Sequence, residues 1–319
     1  MTRRLHFSLG LFLFLAVCLV AANAEIILYE GKSAFNNIVV TQDDSGLRTL
    51  LFEKDGARQS VVKPGDPDHI ELPYARAAMT ALALSEDPRR VLVVGLGGGT
   101  IPMFLRKHYP QAAIDVVDID PEVVRIAKKF FGFREDPRMR AHAADGRRFI
   151  EQSRQPYDII FLDAFGPDSI PRHLATLEFL QSVRRALTPR GLVAGNVWSR
   201  STNRQYDDMV RTYQEAFSEL YIIRVEGAGN RILLALPRAE RVTRDDLSKR
   251  AAAISKRHGL RFDLGELVGQ GFQAAREKDP QSRILTDPGE AEAAAMRPLV
   301  RPKPHPIAAE TACPPATPW

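Results

Sequence analysis

The chain has 319 residues, of which 45% are hydrophobic and 26% are charged. This length allows one large domain, or a core domain with a small satellite, and the composition excludes disordered and fibrous classes. The formal net charge is only +5, and the sequence has no basic stripe interleaved with aromatic residues. We therefore expect no nucleic-acid partner.

Residues 1–24 have the three parts of a secretory signal peptide. Two arginines stand near the start, an apolar core spans 9–20, and the segment closes on Ala-Asn-Ala, a small-x-small cleavage pattern. We predict cleavage before Glu25 and export to the periplasm or out of the cell. The alternative is an uncleaved N-terminal membrane anchor, although the apolar core is short for a membrane span.

Short apolar runs separated by turn residues follow at 26–62 and predict a small antiparallel β-meander. We assign this meander to an N-terminal β-domain over 25–68. The next domain, from residue 69, opens with apolar residues at helical spacing over 70–84.

Strands then alternate with helices, which predicts an α/β fold with a doubly wound, mostly parallel Rossmann-type sheet over 69–240. The predicted strands lie at 91–95, 112–118, 157–163, 191–197, 220–226 and 231–237. The predicted helices lie at 101–108, after Asp120, and at 146–153, 175–187 and 203–219. Beyond this sheet we expect a helical extension over 241–296 and a Pro-rich disordered tail over 297–319.

The turn after the first of these strands reads Gly95-Leu96-Gly97-Gly98-Gly99-Thr100. Ligands bind at the carboxyl ends of strands in open α/β sheets, and this turn lies there. A dinucleotide fingerprint needs a third glycine where Thr100 stands, which disfavours an oxidoreductase. The spacing Gly95-x-Gly97-x-Gly99 favours the turn that binds an adenosyl sulfonium in methyltransferase-like folds. The alternative is a tight turn without a ligand.

Two carboxylates support a nucleoside site. Asp118 ends the second strand, where a carboxylate can accept both ribose hydroxyls. Asp145 follows the third apolar stretch, where an acceptor can take the adenine amino group. The alternatives are a solvated strand-end aspartate for Asp118 and a helix N-cap for Asp145.

From about residue 26 to 240, the chain resembles the spermidine synthase-type aminopropyltransferases. The stretch EKDGARQS resembles the family's D-G-x-x-Q strand end, which implies that Gln59 contacts the donor. The stretch LPYARAAM resembles its tyrosine-bearing helix start, which implies that Tyr74 binds substrate. VDID and ADG resemble the family's V-E-I-D and G-D-G, and YDIIFLDAF resembles the segment with the catalytic aspartate, here Asp163.

The resemblance implies a small β-domain before a methyltransferase-like Rossmann domain. It also implies decarboxylated S-adenosylmethionine as co-substrate, no metal, and a small amine or diamine as acceptor. Family members often form dimers, so a homodimer is expected. In this chemistry a carboxylate such as Asp163 can position the amine and accept its proton. The alternative role for Asp163 is a strand-end turn residue.

Three departures from the family pattern concern the amine-binding groups. Gly98 and Gly166 stand where the family has acids, and the stretch EGAGN lacks a tyrosine that the family commonly has there. Asp168 is the nearest acid to Gly166 that could bind substrate. These departures keep two alternatives open: an S-adenosylmethionine-dependent methyltransferase, and a non-catalytic exported protein that binds a nucleoside or a polyamine.

Overall fold

The computed structural model describes residues 25–54, 56–164 and 170–289. The predicted leader, Asp168 and the Pro-rich tail fall outside this part of the chain. Among the described residues, no helix is long and apolar enough to cross a bilayer.

The N-terminal residues form a four-stranded antiparallel sheet in the order β1-β2-β3-β4, as the apolar pattern predicts. Its strands are Ile26–Lys32 (β1), Asn37–Gln42 (β2), Arg48–Leu51 (β3) and Arg58–Val62 (β4). Buried side chains of β2, β3 and β4 belong to the same hydrophobic cluster as Val91 and Val93 of the next sheet. The two sheets therefore share one core.

The second sheet has eight strands in the order β12-β10-β11-β9-β8-β5-β6-β7. Its strands are Arg90–Val94 (β5), Ala113–Asp118 (β6), Met139–Ala143 (β7), Tyr157–Leu162 (β8), Leu187–Trp198 (β9), Glu219–Arg224 (β10), Asn230–Leu236 (β11) and Phe272–Ala274 (β12). Strands β5 to β9 run parallel, and β11 lies antiparallel between β9 and β10. The strand order reverses at β5, which opens a crevice at its carboxyl end.

Eight α-helices connect and cover these strands in the described part of the chain. They are Pro73–Ala78 (α1), Thr100–His108 (α2), Pro121–Phe130 (α3), Gly146–Glu151 (α4), Leu177–Arg185 (α5), Tyr206–Ala216 (α6), Arg244–His258 (α7) and Leu264–Gly271 (α8). Two 3-10 segments, Met79–Leu84 and Arg172–Leu174, complete the set. In its described residues, the extension predicted over 241–296 contains α7 and α8, after which Phe272–Ala274 pairs with β10 as the edge strand β12.

The loop between β1 and β2 is fixed to the start of α3. Asp120 caps this helix, since its Oδ1 accepts the backbone N–H of Glu122 at 3.0 Å. Its Oδ2 accepts the hydroxyl of Ser33 at 2.6 Å, and the hydroxyl of Tyr29 donates to Glu122 at 2.6 Å. These contacts hold loop 33–36 beside the carboxyl end of β6.

A C-terminal strap, residues 283–287, contacts both α5 and α6. The backbone N–H of Leu285 donates to the Thr212 hydroxyl at 2.9 Å, and its carbonyl accepts the N–H of Leu177 at 2.7 Å. Asp287 accepts two hydrogen bonds from the Arg147 guanidinium, at 2.7 and 2.6 Å. Such a bidentate pair is among the stronger polar contacts in proteins, and it joins the strap to α4.

Candidate active site

A cavity of about 560 Å³ opens at the carboxyl ends of β5, β6 and β8. The predicted site residues that line it are Gln59, Tyr74, Gly95, Gly97, Asp118, Asp145 and Asp163. They meet because the carboxyl ends of parallel strands share one edge of the sheet. The four-stranded sheet supplies a further wall through Gln59 and its neighbours on β4.

Gly95 allows the turn after β5 to pass very close to the end of β8. Its φ is +99°, and a Cβ there would lie 2.2 Å from the carbonyl oxygen of Asp163. Both the left-handed backbone and the contact exclude any other residue. Gly95 therefore sets the spacing between the glycine turn and the aspartate.

The next glycines differ in what they do. Gly97 lines the cavity with φ +53°, and a Cβ there would lie 3.3 Å from Cβ of Ser60. Gly99, which we predicted to contact the cofactor, is not among the cavity-lining residues. It is instead the left-handed N-cap of α2, with φ +88°, packed against the Phe133 ring. In this structure Gly99 begins the helix, and its contact with the cofactor stays a prediction.

Gly98 packs away from the cavity. A Cβ at this position would lie 2.9 Å from Oγ of Ser60, 2.9 Å from Val62 and 3.0 Å from the Phe131 ring. A larger residue there would displace the side chains of Ser60, Val62 and Phe131. The position that the resemblance equates with a family acid is therefore surrounded by packed side chains.

Asp118 holds the glycine turn and faces the cavity. Its Oδ2 accepts the backbone N–H of Leu96 at 2.9 Å, and its Oδ1 accepts the N–H of Asp120 at 2.9 Å. Burial raises the pKa of Asp118, and these backbone donors oppose that rise. Each oxygen keeps a second lone pair, so the carboxylate can still accept two hydroxyl donors.

Asp145 has the N-cap role that the sequence left open as the alternative. Its Oδ1 accepts the backbone N–H of Arg148 at 2.9 Å at the start of α4. Its Oδ2 lies 3.1 Å from Nε2 of His173, which also lines the cavity. The cap and an adenine contact are compatible, because the carboxylate has lone pairs for both.

Asp163 is at the centre of a hydrogen-bond network. Its Oδ1 accepts from Nδ2 of Asn196 at 2.8 Å, and its Oδ2 accepts from the Tyr74 hydroxyl at 3.2 Å. Burial raises the pKa of Asp163 to about 7, although both hydrogen bonds lower it. Burial and the nearby Asp163 also raise the pKa of Tyr74 far above its ordinary value, so this hydroxyl stays protonated. A carboxyl that titrates near neutral pH suits proton transfer.

Sequence reasoning missed Asn196 and Asn230, which extend this network. Nδ2 of Asn230 donates to Oδ1 of Asn196 at 3.0 Å, and both residues line the cavity. Asn196 is only 5% exposed, within an otherwise apolar run of β9. A lone amide in a buried strand was a usable signal, because buried polar groups need partners.

Other residues of the cavity wall could not be predicted from the local sequence pattern. Phe35 and Asn36 reach the cavity only because loop 33–36 is fixed to Asp120, and Arg58 lies beside Gln59 on β4. In the described part of the chain, no group of three His, Cys, Asp or Glu side chains could hold a metal ion.

Comparisons with known proteins give a consistent picture. The spermine/spermidine synthase domain matches residues 74–223. A polyamine aminopropyltransferase of Vibrio vulnificus is 35% identical over 70% of this chain and 78% of its own length. A bovine eEF1A lysine and N-terminal methyltransferase is 38% identical, over 47% of this chain but only 23% of its own length.

Solved structures agree with both kinds of relative. Human methyltransferase-like protein 13, in complex with SAH, is 32% identical with a TM-score of 0.54, over 58% of this chain and 91% of that one. A probable spermidine synthase from Corynebacterium glutamicum shares the fold at 22% identity, with a TM-score of 0.67 over 82% of this chain and 96% of that one. The protein is a transferase with a methyltransferase-like Rossmann fold. It belongs to the spermine/spermidine synthase family.

Proposed function

We propose that the protein transfers an aminopropyl group from decarboxylated S-adenosylmethionine to a small primary amine. The observation that carries this proposal is Asp163, a carboxyl of pKa about 7 at the wall of a cavity that also contains the glycine turn. The similarity to a polyamine aminopropyltransferase supports the same reaction class.

The donor would lie along the glycine turn. Asp118 would accept the ribose hydroxyls, Asp145 would accept the adenine amino group, and the backbone at Gly95 and Gly97 would border the sulfonium chain. Gln59, on the opposite wall, would contact the donor from β4. These roles agree with the charge of the ligand, because a sulfonium cation is attracted to a cavity with three carboxylates.

Asp163 would act on the acceptor. An ammonium group beside Asp163 would hydrogen-bond to the carboxylate and give it one proton. The neutral nitrogen would then attack the aminopropyl methylene carbon that is bonded to sulfur. The bond between that carbon and sulfur would break, and its electron pair would stay on sulfur. The products are a secondary ammonium and methylthioadenosine, and Asp163 would later lose its proton to water. The positive charge of the sulfonium drives departure, so the step needs no acid at sulfur.

A diamine acceptor needs a second group that binds its far amine. Asp168, outside the described residues, remains our candidate for a second amine of a diamine. Gly227 and Ala228 line the cavity in the stretch that lacks the family's tyrosine. We further propose that the protein is exported and acts as a homodimer.

Methyl transfer from S-adenosylmethionine is the second candidate. It is favoured by Gly98, because a glycine leaves no acidic side chain at this position of the turn to repel the methionine carboxylate. Arg58, a cation on the cavity wall, could pair with that carboxylate. If Arg58 pairs with the methionine carboxylate, Arg58→Gln will weaken binding of S-adenosylmethionine and leave binding of its decarboxylated form unchanged.

One experiment separates these functions. The protein that begins at Glu25 is incubated with either donor and a panel of monoamines, diamines and polyamines, and the nucleoside products are identified by mass spectrometry. Aminopropyl transfer yields methylthioadenosine, whereas methyl transfer yields S-adenosylhomocysteine. If neither product forms while calorimetry shows methylthioadenosine binding, the enzyme proposal is wrong and a binding function replaces it.

A further inference from the structure

We infer that Asn196 and Asn230 are positioning residues that direct the transferred proton to Oδ2 of Asp163, with the Tyr74 hydroxyl turning to accommodate it. This inference rests on the proposed role of Asp163 as the base. It concerns residues that no motif nominated and that act through the carboxylate.

The orientation of the Asn196 amide is the first step of the argument. Its Nδ2 lies 2.8 Å from Oδ1 of Asp163, and its Oδ1 lies 3.0 Å from Nδ2 of Asn230. The reversed amide would place an oxygen against the carboxylate and an NH₂ against the Asn230 NH₂, so both contacts would become repulsive. Asn230 therefore keeps the donor group of Asn196 on Asp163.

The strand register holds the two amides together. Asn196 is opposite Ile232 in the antiparallel ladder of β9 and β11, and Asn230 is opposite Trp198. The two asparagines thus occupy diagonal positions of one ladder, where side chains on the same face meet. Because Asn196 is almost fully buried, losing a partner would leave a polar group unsatisfied.

The two oxygens of Asp163 are consequently not equivalent. A permanent donor occupies Oδ1, so a proton is better placed on Oδ2. Oδ2 faces the Tyr74 hydroxyl, which lies 3.2 Å away and also 3.4 Å from the carbonyl oxygen of Gln59. When Asp163 is ionised, this hydroxyl donates to Oδ2. When Oδ2 carries the proton, the Oδ2–H group donates a hydrogen bond to the Tyr74 hydroxyl. That hydroxyl then donates to the carbonyl oxygen of Gln59.

The test measures the titration of Asp163 directly and in catalysis. Carboxyl-¹³C aspartate NMR of the unliganded protein gives the pKa, with Asp163→Asn to assign the signal, and pH–rate profiles follow the amine reaction. Asn230→Asp replaces the donor by an acceptor, so the Asn196 amide should reverse. The other titratable side chains on the cavity wall, Arg58, Tyr74, Asp118, Asp145 and His173, are left unchanged.

We expect Asn230→Asp to raise the pKa of Asp163 by about one pH unit. At pH 7 this lowers the ionised fraction, and the rate, about fivefold for a base of pKa about 7, with recovery near pH 9. Asn196→Leu should raise the pKa similarly because it removes the donor, and Asn196→Ser serves if that variant does not fold. The control is Gln111→Glu, which also replaces a side-chain amide by a carboxylate. Gln111 is exposed and lies in the turn before the amino end of β6.

A double-mutant cycle distinguishes the relay from simple charge repulsion. If the effect passes through the Asn196 amide, Asn230→Asp should add little in the Asn196→Leu background. The full effect in that background, or an unchanged pKa in both single variants, would overturn the inference. If the wild type transfers no group to any amine, the proposed function fails, while the NMR titration still decides whether the relay orients the carboxyl.

Discussion

Asp163→Asn is expected to remove most of the activity and yet to stabilise the folded protein above neutral pH. Burial raises the pKa of Asp163 from 3.8 to about 7. Between these values the folded state holds a proton that the unfolded chain has lost, so wild-type stability falls as pH rises through this window. At about 1.4 kcal/mol per pH unit, the loss reaches up to about 4 kcal/mol above pH 7.

The amide of Asn cannot ionise and keeps both contacts, since it can accept from Asn196 while Tyr74 turns toward Gln59. Urea unfolding of Asp163→Asn and wild type at pH 5 and pH 8 should therefore show a stability gain that grows with pH. Turnover should fall on the order of 10²–10⁴-fold because no proton acceptor remains. Donor binding should change little.

A control with the opposite sign is available in Asp66. A hydrogen bond from Arg261 lowers the pKa of Asp66, so its contribution to stability is present at neutral pH and lost in acid. Asp66→Asn should thus destabilise the protein at pH 8. If Asp163→Asn also destabilised it there, the burial argument would be refuted, and full turnover in that variant would exclude Asp163 as the base.

Three further predictions test other parts of the site. Asp118→Asn should weaken methylthioadenosine binding by about 2–4 kcal/mol in calorimetry, because one charge-assisted hydroxyl pair is lost; equal affinity would remove Asp118 from the site. Gly95→Ala should lower the free energy of unfolding by more than about 3 kcal/mol, because the added Cβ would meet the carbonyl oxygen of Asp163. The control Gly46→Ala, where the added Cβ meets open space, should lower it by only about 1 kcal/mol. Equal losses in the two variants would contradict this prediction. Mass spectrometry of protein from the cell envelope should find Glu25 at the N-terminus, and an intact Met1 in the cytosol would contradict export.

The sequence predicted the side of the cavity that parallel strands build. Gly95 and Asp163 directly follow β5 and β8, Asp118 ends β6, and Asp145 lies two residues after β7. The strands of one βαβ series end at the same edge of the sheet. Local pattern was therefore enough to bring them together. Gln59 and Tyr74 came from the family resemblance, and the structure places both at the same cavity.

The parts that local pattern could not predict depend on non-local contacts. Asn230 contacts Asn196 only because β11 lies between β9 and β10. The sequence RILLALP predicts a strand but does not indicate which strands pair with it. Likewise, His173 reaches Asp145 through a short 3-10 segment without any periodic signal. Gly99 also begins α2, a role that the glycine pattern did not indicate, and its contact with the cofactor stays a prediction.

The C-terminal strap is connected through hydrogen bonds to the nucleoside side of the cavity. The Arg147 guanidinium that binds Asp287 also donates to the carbonyl of His173, the residue paired with Asp145. If a bound nucleoside is stabilised by this arrangement, thermodynamic reciprocity requires that the nucleoside also stabilises the strap. Limited proteolysis at Arg283 should then slow when ligand is present. Residues 283–287 would then report occupancy of the cavity wall around Asp145 and His173.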